Sequence, residues 1–376
     1  MEGANMGKNA IKKIQVHLVS QPITGGFADA TRKVECIGFT IVRVTTEEGL
    51  EGFGVTYHEV GGEATKMLIE KNIAPKLIGR DPFETEVIWN EMFGYLRGVG
   101  RKGLMFCALS AVDIALWDLK GKILNMPLFR LFGGVETKIP VYGSGGWTSY
   151  SDDELVEEMV GLVQKDGYKM IKFKVGVEGG NNTNRDVERV RKVREAVGPD
   201  VGIMLDANNC WDAATGARFA NRVKDYDIMF LEEPVFADDI PGLMKYKRST
   251  DLPLATGEHE YTKFGARDLL IHECADIVQT DGTRAGGFTE MLKIGAMTQA
   301  FNVKFAPHAM ENIHIHLISA FGNAPFLERL KLFEGITANT YLDAPKPDHG
   351  YMTIPEKPGL GLTLNMDFIN EYDEKF

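Results

Sequence analysis

The chain has 376 residues, 44% apolar and 25% charged, with a formal net charge of −11. That length allows a large core and more than one domain. The acidic balance argues against a nucleic-acid surface but not against an anionic substrate, because a site carries its own cations.

No uninterrupted apolar run is long enough to span a bilayer. The opening "MEGANMGKNAIKK" lacks the apolar core of a signal peptide. Cys36, Cys107, Cys210 and Cys274 are widely spaced and form no CxxC pair. A cytoplasmic protein with reduced thiols is the expectation. Cys210 follows a polar strand end, and packing is its expected role.

In chain order, "IKKIQVHLV" and "IGFTIVRVTTEEGLEGFGVTY" alternate as strands do, with a Glu-Gly turn in the second. Helical patterns follow and end in "CALSAVDIALWDLKGKILNMPLFRLFGG", where Gly133-Gly134 marks a stop. From about Lys138 short apolar strands alternate with amphipathic helices. The strands read "IPVYG", "MIKFKVG", "VGIMLDAN", "IMFLEEP", "LPLATGEHE", "DIVQTDG", "KFAPH" and "PFLERL". Eight such units predict a β/α barrel. An open doubly wound sheet is the alternative, although no GxGxxG follows the first strand. The tail "PKPDHGYMTIPEKPGLGLTLNMDF" is rich in Pro and Gly and is expected to leave the barrel and pack on the first domain.

Barrel enzymes carry their chemistry at the C-terminal ends of the strands. Here those ends hold Lys172 and Lys174, then Asp206 and Asn208, then Glu232 and Glu233. Glu258, His259 and Glu260 follow, then Asp281, His308 and Glu328. A lone strand-end carboxylate is usually a cap or a solvated charge, but seven consecutive strands ending in ionisable groups point to one shared mouth.

Asp206, Glu232 and Glu258 recur at equal intervals, one β/α unit each. They would repel one another unless a cation sat among them. An oxygen-only set suits a hard divalent ion, with Mg2+ the best match and zinc disfavoured. On neighbouring strands, Asp281 can hold one ring nitrogen of His308 and leave the other as acid or base. No serine or cysteine stands at another strand end, so a nucleophilic triad is not expected. His314 and His316 in "NIHIHL" fall on different faces of a helix and read as packing or surface groups. His17, His272 and His349 have no evident partner.

The motifs "KFK", "LDAN", "LEEP", "GEHE", "QTDGTRAGG", "APH" and "FLERL" together resemble the enolase superfamily, in its mandelate racemase subgroup. The helix "ALSAVDIALWDLKGK" is similar to the one that closes that family's capping domain. The resemblance implies a (β/α)7β modified TIM barrel spanning 137–340. An α+β capping domain would be built from residues 1–136 and from a returning segment, 341–376. It also implies Mg2+ on Asp206, Glu232 and Glu258, and Lys174 as base with Lys172 beside it. The His308–Asp281 pair would act on the opposite face. Glu328 would be a carboxylic acid donating to a substrate carboxylate, and Asn208 would touch substrate. A homo-oligomer, from dimer to octamer, is implied as well. The His259-Glu260 pair resembles acid-sugar dehydratases within the subgroup.

Chemically, such a site removes the α-proton of a hydroxy-carboxylate and meets the resulting enediolate with preorganised charge. Repulsion from Lys172, together with burial, is expected to lower the pKa of Lys174 toward that of a base. Expulsion of a β-hydroxyl would give a 2-keto-3-deoxy acid, reprotonation a racemase or epimerase, and loss of an internal alkoxide a cycloisomerase. The polar loops "PITGGFADATRK" and "TYHEVGGEA" favour a sugar acid, with His259, Tyr57 and His58 as further contacts. A solvent-exposed loop role is the alternative for Tyr57 and His58. A Schiff-base lysine aldolase would leave the three carboxylates unexplained. A binding or structural barrel would have no need of the complete set.

Overall fold

The computed structural model describes residues 7–374. The first six residues of the "MEGANMGKNAIKK" stretch lie outside the described residues. Strands β1 (Ile11–Pro22), β2 (Cys36–Thr46) and β3 (Glu51–His58) form an antiparallel sheet in the order β1-β2-β3. Gly49, at φ 86°, turns the chain between β2 and β3. The helix Leu104–Ile123 lies directly on β3. A Cβ added to Gly54 would stand 2.1 Å from the Ala111 carbonyl oxygen, so this close approach requires glycine.

That helix also carries the polar joints between sheet, barrel and tail. Asp118, fully buried, accepts from the Phe53 N–H (2.8 Å), the Leu360 N–H (2.7 Å) and Lys122 Nζ (2.7 Å). Ser110 Oγ accepts from the Gly286 N–H (2.7 Å), and Asp113 from the N–H (2.9 Å) and hydroxyl (2.6 Å) of Thr289. Trp89 Nε1 donates to the Gly286 carbonyl at 2.8 Å. Around these joints Phe39, Ile41 and Phe53 of the sheet share one apolar core with Phe288, Ile313 and Phe333 of the barrel side.

Eight parallel strands follow one another around the barrel: β4 (Lys138–Gly145), β5 (Met170–Lys174), β6 (Gly202–Asp206), β7 (Ile228–Glu232), β8 (Leu254–Thr256), β9 (Ile277–Val278), β10 (Lys304–Phe305) and β11 (Leu327–Leu330). Each pairs with the next as far as β10, and β11 returns beside β4 with Leu327 opposite Val141. β10 and β11 end the hydrogen-bonded path. The interior is filled by Tyr142, Met204, Phe230, Ala255, Ile277, Ala306 and Phe326. The fold is therefore the barrel with an N-terminal sheet that the motifs implied. Later strands are shorter than their apolar runs, because the chain leaves the ladder early. Gly257 (φ 133°) ends β8, and Ala309 (φ 44°) and Met310 (φ 43°) turn the chain after β10.

The acidic run "SDDELVEEM" opens the helix Asp152–Gln164 with a capping box between Ser151 and Glu154. The tail does more than return to the first sheet. Strand β12 (Tyr351–Thr353) first pairs antiparallel with β4, and only then does the helix Met366–Tyr372 reach β1. Beyond it Asp373 accepts from the Leu18 N–H (2.9 Å) and pairs with His17 Nδ1 (3.0 Å), a partner that sequence did not indicate.

His314 and His316 lie on the helix Glu311–Ile318, and both are fully buried. His316 Nε2 donates to the Leu360 carbonyl at 3.0 Å, and burial pushes its pKa down to about 4. The unfolded chain therefore binds the proton more readily than the folded one between about pH 6.5 and 4. The stability contributed by neutral His316 is complete above pH 6.5 and is lost progressively as the pH falls to 4. Acidification across this window should cost roughly 3 kcal/mol at this position. Unfolding midpoints of the wild type and His316→Phe, compared from pH 7 to pH 4, should converge as the pH falls.

Candidate active site

The ionisable strand ends converge as the barrel dictates. Lys174 and Asp206 face each other in register, as do Asp206 and Glu232. Lys172 and Lys174 point the same way along β5, as alternate residues must. Lys172 is the deeper of the two, 1% exposed, with Nζ 2.5 Å from Glu232 and 2.7 Å from Glu328. Lys174 Nζ lies 2.5 Å from Asp206 Oδ2. Two ammonium groups are tolerated in this core because three buried carboxylates surround them.

A cavity of about 100 Å3 opens above these pairs, lined by Lys174, Asn208, Glu258, His259, His308 and Tyr57 among others. His308 stands between two acids. Its Nδ1 is 3.1 Å from Asp281 and its Nε2 is 2.7 Å from Glu258. Asp281 is fixed in turn by the N–H (2.7 Å) and hydroxyl (2.8 Å) of Thr283. His314 adds a contact at 3.5 Å from Asp281. It is thus a buried neighbour of the dyad as well as a packing group.

The charges follow from burial and pairing. Burial disfavours the His308 cation, but Glu258 and Asp281 outweigh it and hold the imidazole pKa well above its ordinary value. Burial opposes ionisation of Glu258, yet His308 and His259 hold its carboxyl well below the usual range. Burial pushes Glu232 up to about 8, against the opposing pull of Lys172.

Two expectations change here. Burial and Lys172 do act to lower the pKa of Lys174, but Asp206 and Glu232 outweigh them and hold its ammonium form. Glu328 was expected as a neutral acid. Burial favours that form, but Lys172 and His308 bring its pKa down to about 2, and Glu328 Oε2 accepts the Ala309 N–H at 3.0 Å. Lys172 is itself enclosed by Glu232 and Glu328 and is not among the residues lining the cavity.

Asp206, Glu232 and Glu258 form a buried, all-oxygen set on successive β/α units, the donor chemistry that a hard divalent cation requires. Gln279 donates to Glu232 at 3.0 Å, while its own buried Oε1 has no partner. The donors therefore fit Mg2+. Each acid turns an oxygen to a basic side chain: Asp206 to Lys174, Glu232 to Lys172 and Glu258 to His308. Among the described residues, the trio whose ligand atoms lie within 4.8 Å of one another is instead Glu233, Glu258 and His259, with a 2.8 Å pair between His259 and Glu233.

Tyr57 enters the cavity, but His58 does not. Successive residues of β3 point to opposite sides. His58 Nε2 instead meets Ser20 Oγ at 3.2 Å, packed beside Gly38 and Gly62. Sequence reasoning missed Arg284, which donates to Tyr57 (3.0 Å) and Tyr261 (2.6 Å) and lies 4.0 Å from Glu258. Its place three residues after Asp281 in "QTDGTRAGG" was the available signal. Trp147, Asp29, Arg32 and Glu59 were also not singled out, although the two polar loops supply the last three.

Fold and site together define a parallel barrel with a cluster of buried acids and bases at its mouth. Residues 154–368 match the family described as enolase C-terminal domain-like, and residues 13–133 match the mandelate racemase/muconate lactonizing enzyme N-terminal domain. The chain belongs to this family.

Among its relatives, the L-rhamnonate dehydratase of Saccharopolyspora erythraea is 35% identical, over 88% of this chain and 84% of that protein. The 3,6-anhydro-alpha-L-galactonate cycloisomerase of Streptomyces coelicolor is 29% identical, over 95% and 98%. The crystal structure of a racemase from Streptomyces coelicolor A3(2) with bound magnesium superposes with a TM-score of 0.91 at 28% identity, covering 97% of this chain and 100% of that one. Among the described residues, no helix is long and apolar enough to cross a membrane.

Asp281→Asn should remove the negative partner of His308 Nδ1. The His308 titration, followed by NMR, should then move down by about 1–2 pH units. An unchanged midpoint would show that Asp281 does not hold the imidazolium.

Proposed function

We propose that the protein is an acid-sugar dehydratase, removing the α-proton of a hydroxy-carboxylate and expelling its β-hydroxyl to leave a 2-keto-3-deoxy acid. The observation that carries this reading is the pairing of an amine, Lys174, with an acid-held imidazole, His308, on the lining of one cavity.

Asp206, Glu232 and Glu258 would hold Mg2+, which supplies Lewis-acid stabilisation of charge building on the substrate carboxylate. With Asp206 as a metal ligand, Lys174 would lose the counter-charge it now has in that carboxylate. Burial and Lys172 then favour the neutral amine that a base requires. Lys174 takes the α-proton, and the C–H electron pair passes into the enediolate. His308 delivers its Nε2 proton to the β-hydroxyl as the C–O bond breaks. The departing oxygen keeps the bonding pair and leaves as water, and the resulting enol tautomerises to the ketone.

Dehydration is favoured over racemisation and cycloisomerisation because Asp281, which is outside the metal-binding set, stays on His308 Nδ1 and favours its loaded imidazolium form. The S. erythraea dehydratase, at 35% identity, points the same way. The same two groups would serve an epimerase or cycloisomerase if the substrate lacked a β-hydroxyl positioned to leave. A Schiff-base aldolase would instead be trapped by borohydride in the presence of substrate.

Aldonic and aldaric acids assayed in D2O should yield 2-keto acids. Lys174→Ala should abolish α-deuterium exchange, while His308→Asn should keep exchange and lose at least about 100-fold in keto-acid formation. Full turnover in either variant would overturn the mechanism. Exchange without keto acid from any β-hydroxy acid would assign the racemase reaction instead. EDTA should stop keto-acid formation and added Mg2+ should restore it; activity that persists through chelation would remove the metal from the reading.

A further inference from the structure

The outer end of the cavity is built by the first domain. Asp29 Oδ1 accepts from the N–H (2.7 Å) and hydroxyl (2.8 Å) of Thr31 and from the Arg32 N–H (3.0 Å), closing a tight turn. Thr148 donates its hydroxyl to the carbonyls of Ala28 (2.9 Å) and Asp29 (2.7 Å), and Phe27 stacks on Trp147 at 4.7 Å. The turn is therefore fastened to the barrel mouth, and its charges are held in place.

Those charges do not cancel. Arg32 donates to Glu59 at 2.9 Å and lies 3.6 Å from Asp29, so two carboxylates share one guanidinium. Arg284 is committed to two tyrosine hydroxyls, with Glu258 at 4.0 Å. Nearer Lys174, whose Nζ lies 5.9 Å from the Trp147 ring centroid, the polar atoms left over are neutral. Trp147, 2% exposed, lines the cavity with its indole N–H lacking a hydrogen-bond partner. The buried Oδ1 of Asn208, another lining residue, also lacks one.

We propose that the site is selective for an aldonic acid: one carboxylate at the Lys174 end and an uncharged polyhydroxyl tail at the outer end. Asp29 and Glu59 accept from tail hydroxyls, and nearer Lys174 the Trp147 indole and Asn208 amide pair with hydroxyls beside the carboxylate. The second carboxylate of an aldaric acid would meet two fixed anions that already share Arg32, while Arg284 is held by Tyr57 and Tyr261. This inference rests on the α-proton chemistry proposed above.

The test uses the full stereochemical set of five- and six-carbon aldonic acids and their matched aldaric acids. Turnover and α-deuterium exchange are measured with the wild type, and dissociation constants with Lys174→Ala. The acid used best should be an aldonate, with kcat/KM at least about tenfold above its aldaric partner, because a second carboxylate meets like charge. Glu59→Gln and Asp29→Asn should each narrow that ratio, chiefly by tightening aldarate binding. An aldarate that matches or exceeds its aldonate in turnover and in binding would overturn this inference alone. Loss of the α-proton from no acid of either class would overturn the dehydratase reading together with it.

Discussion

The buried charge balance beneath the cavity sets the terms for the rest of the site. Lys172 is enclosed by Glu232 and Glu328, and Lys174 is paired with Asp206. Taking any one of these charges out of water costs several kcal/mol after relaxation, and only close pairing with good geometry offsets it. The barrel supplies that geometry by placing β5, β6 and β7 side by side, so that strand register becomes electrostatic register. The same arrangement leaves His308 between Glu258 and Asp281, an imidazolium with an acid on each ring nitrogen.

Much of the barrel was legible because its period is written in short apolar runs, each closed by an ionisable residue. Asp206, Glu232, Glu258, Asp281 and His308 could be placed from strand ends alone, since a parallel barrel sends all those ends to one face. The partners were less legible, because pairing depends on distances across strands. "KFK" shows that two ammonium groups share a side, but not that Lys172 is buried a layer below Lys174. Glu328 was assigned a protonated role by resemblance, whereas its contact with Lys172 sets its charge. His58 was misplaced for a simpler reason: the end of β3 could not be aligned with the cavity until Tyr57 was seen to take the inward position.

The loops show a different limit. "PITGGFADATRK" and "TYHEVGGEA" were marked as polar walls, yet nothing in their order says that Arg32 would bridge Asp29 and Glu59. That contact joins residues on either side of β2, a separation no local pattern reports. The same holds for β12, whose pairing with β4 interrupts the tail's path to the first sheet.

The helix Leu104–Ile123 has a mechanical consequence. Its Ser110 and Asp113, with the nearby Trp89, hold the backbone of Gly286 and Thr289, in the chain that runs on from Asp281 and Arg284. A swing of the first domain as a rigid lid would tear these buried bonds and drag the acid behind His308 out of place. The turn around Asp29 is fastened to the barrel mouth as well, by the Thr148 hydroxyl and by the stack of Phe27 on Trp147. The first domain is thus part of the catalytic frame itself, since its joints to Gly286 and Thr289 help set the position of the acid behind His308.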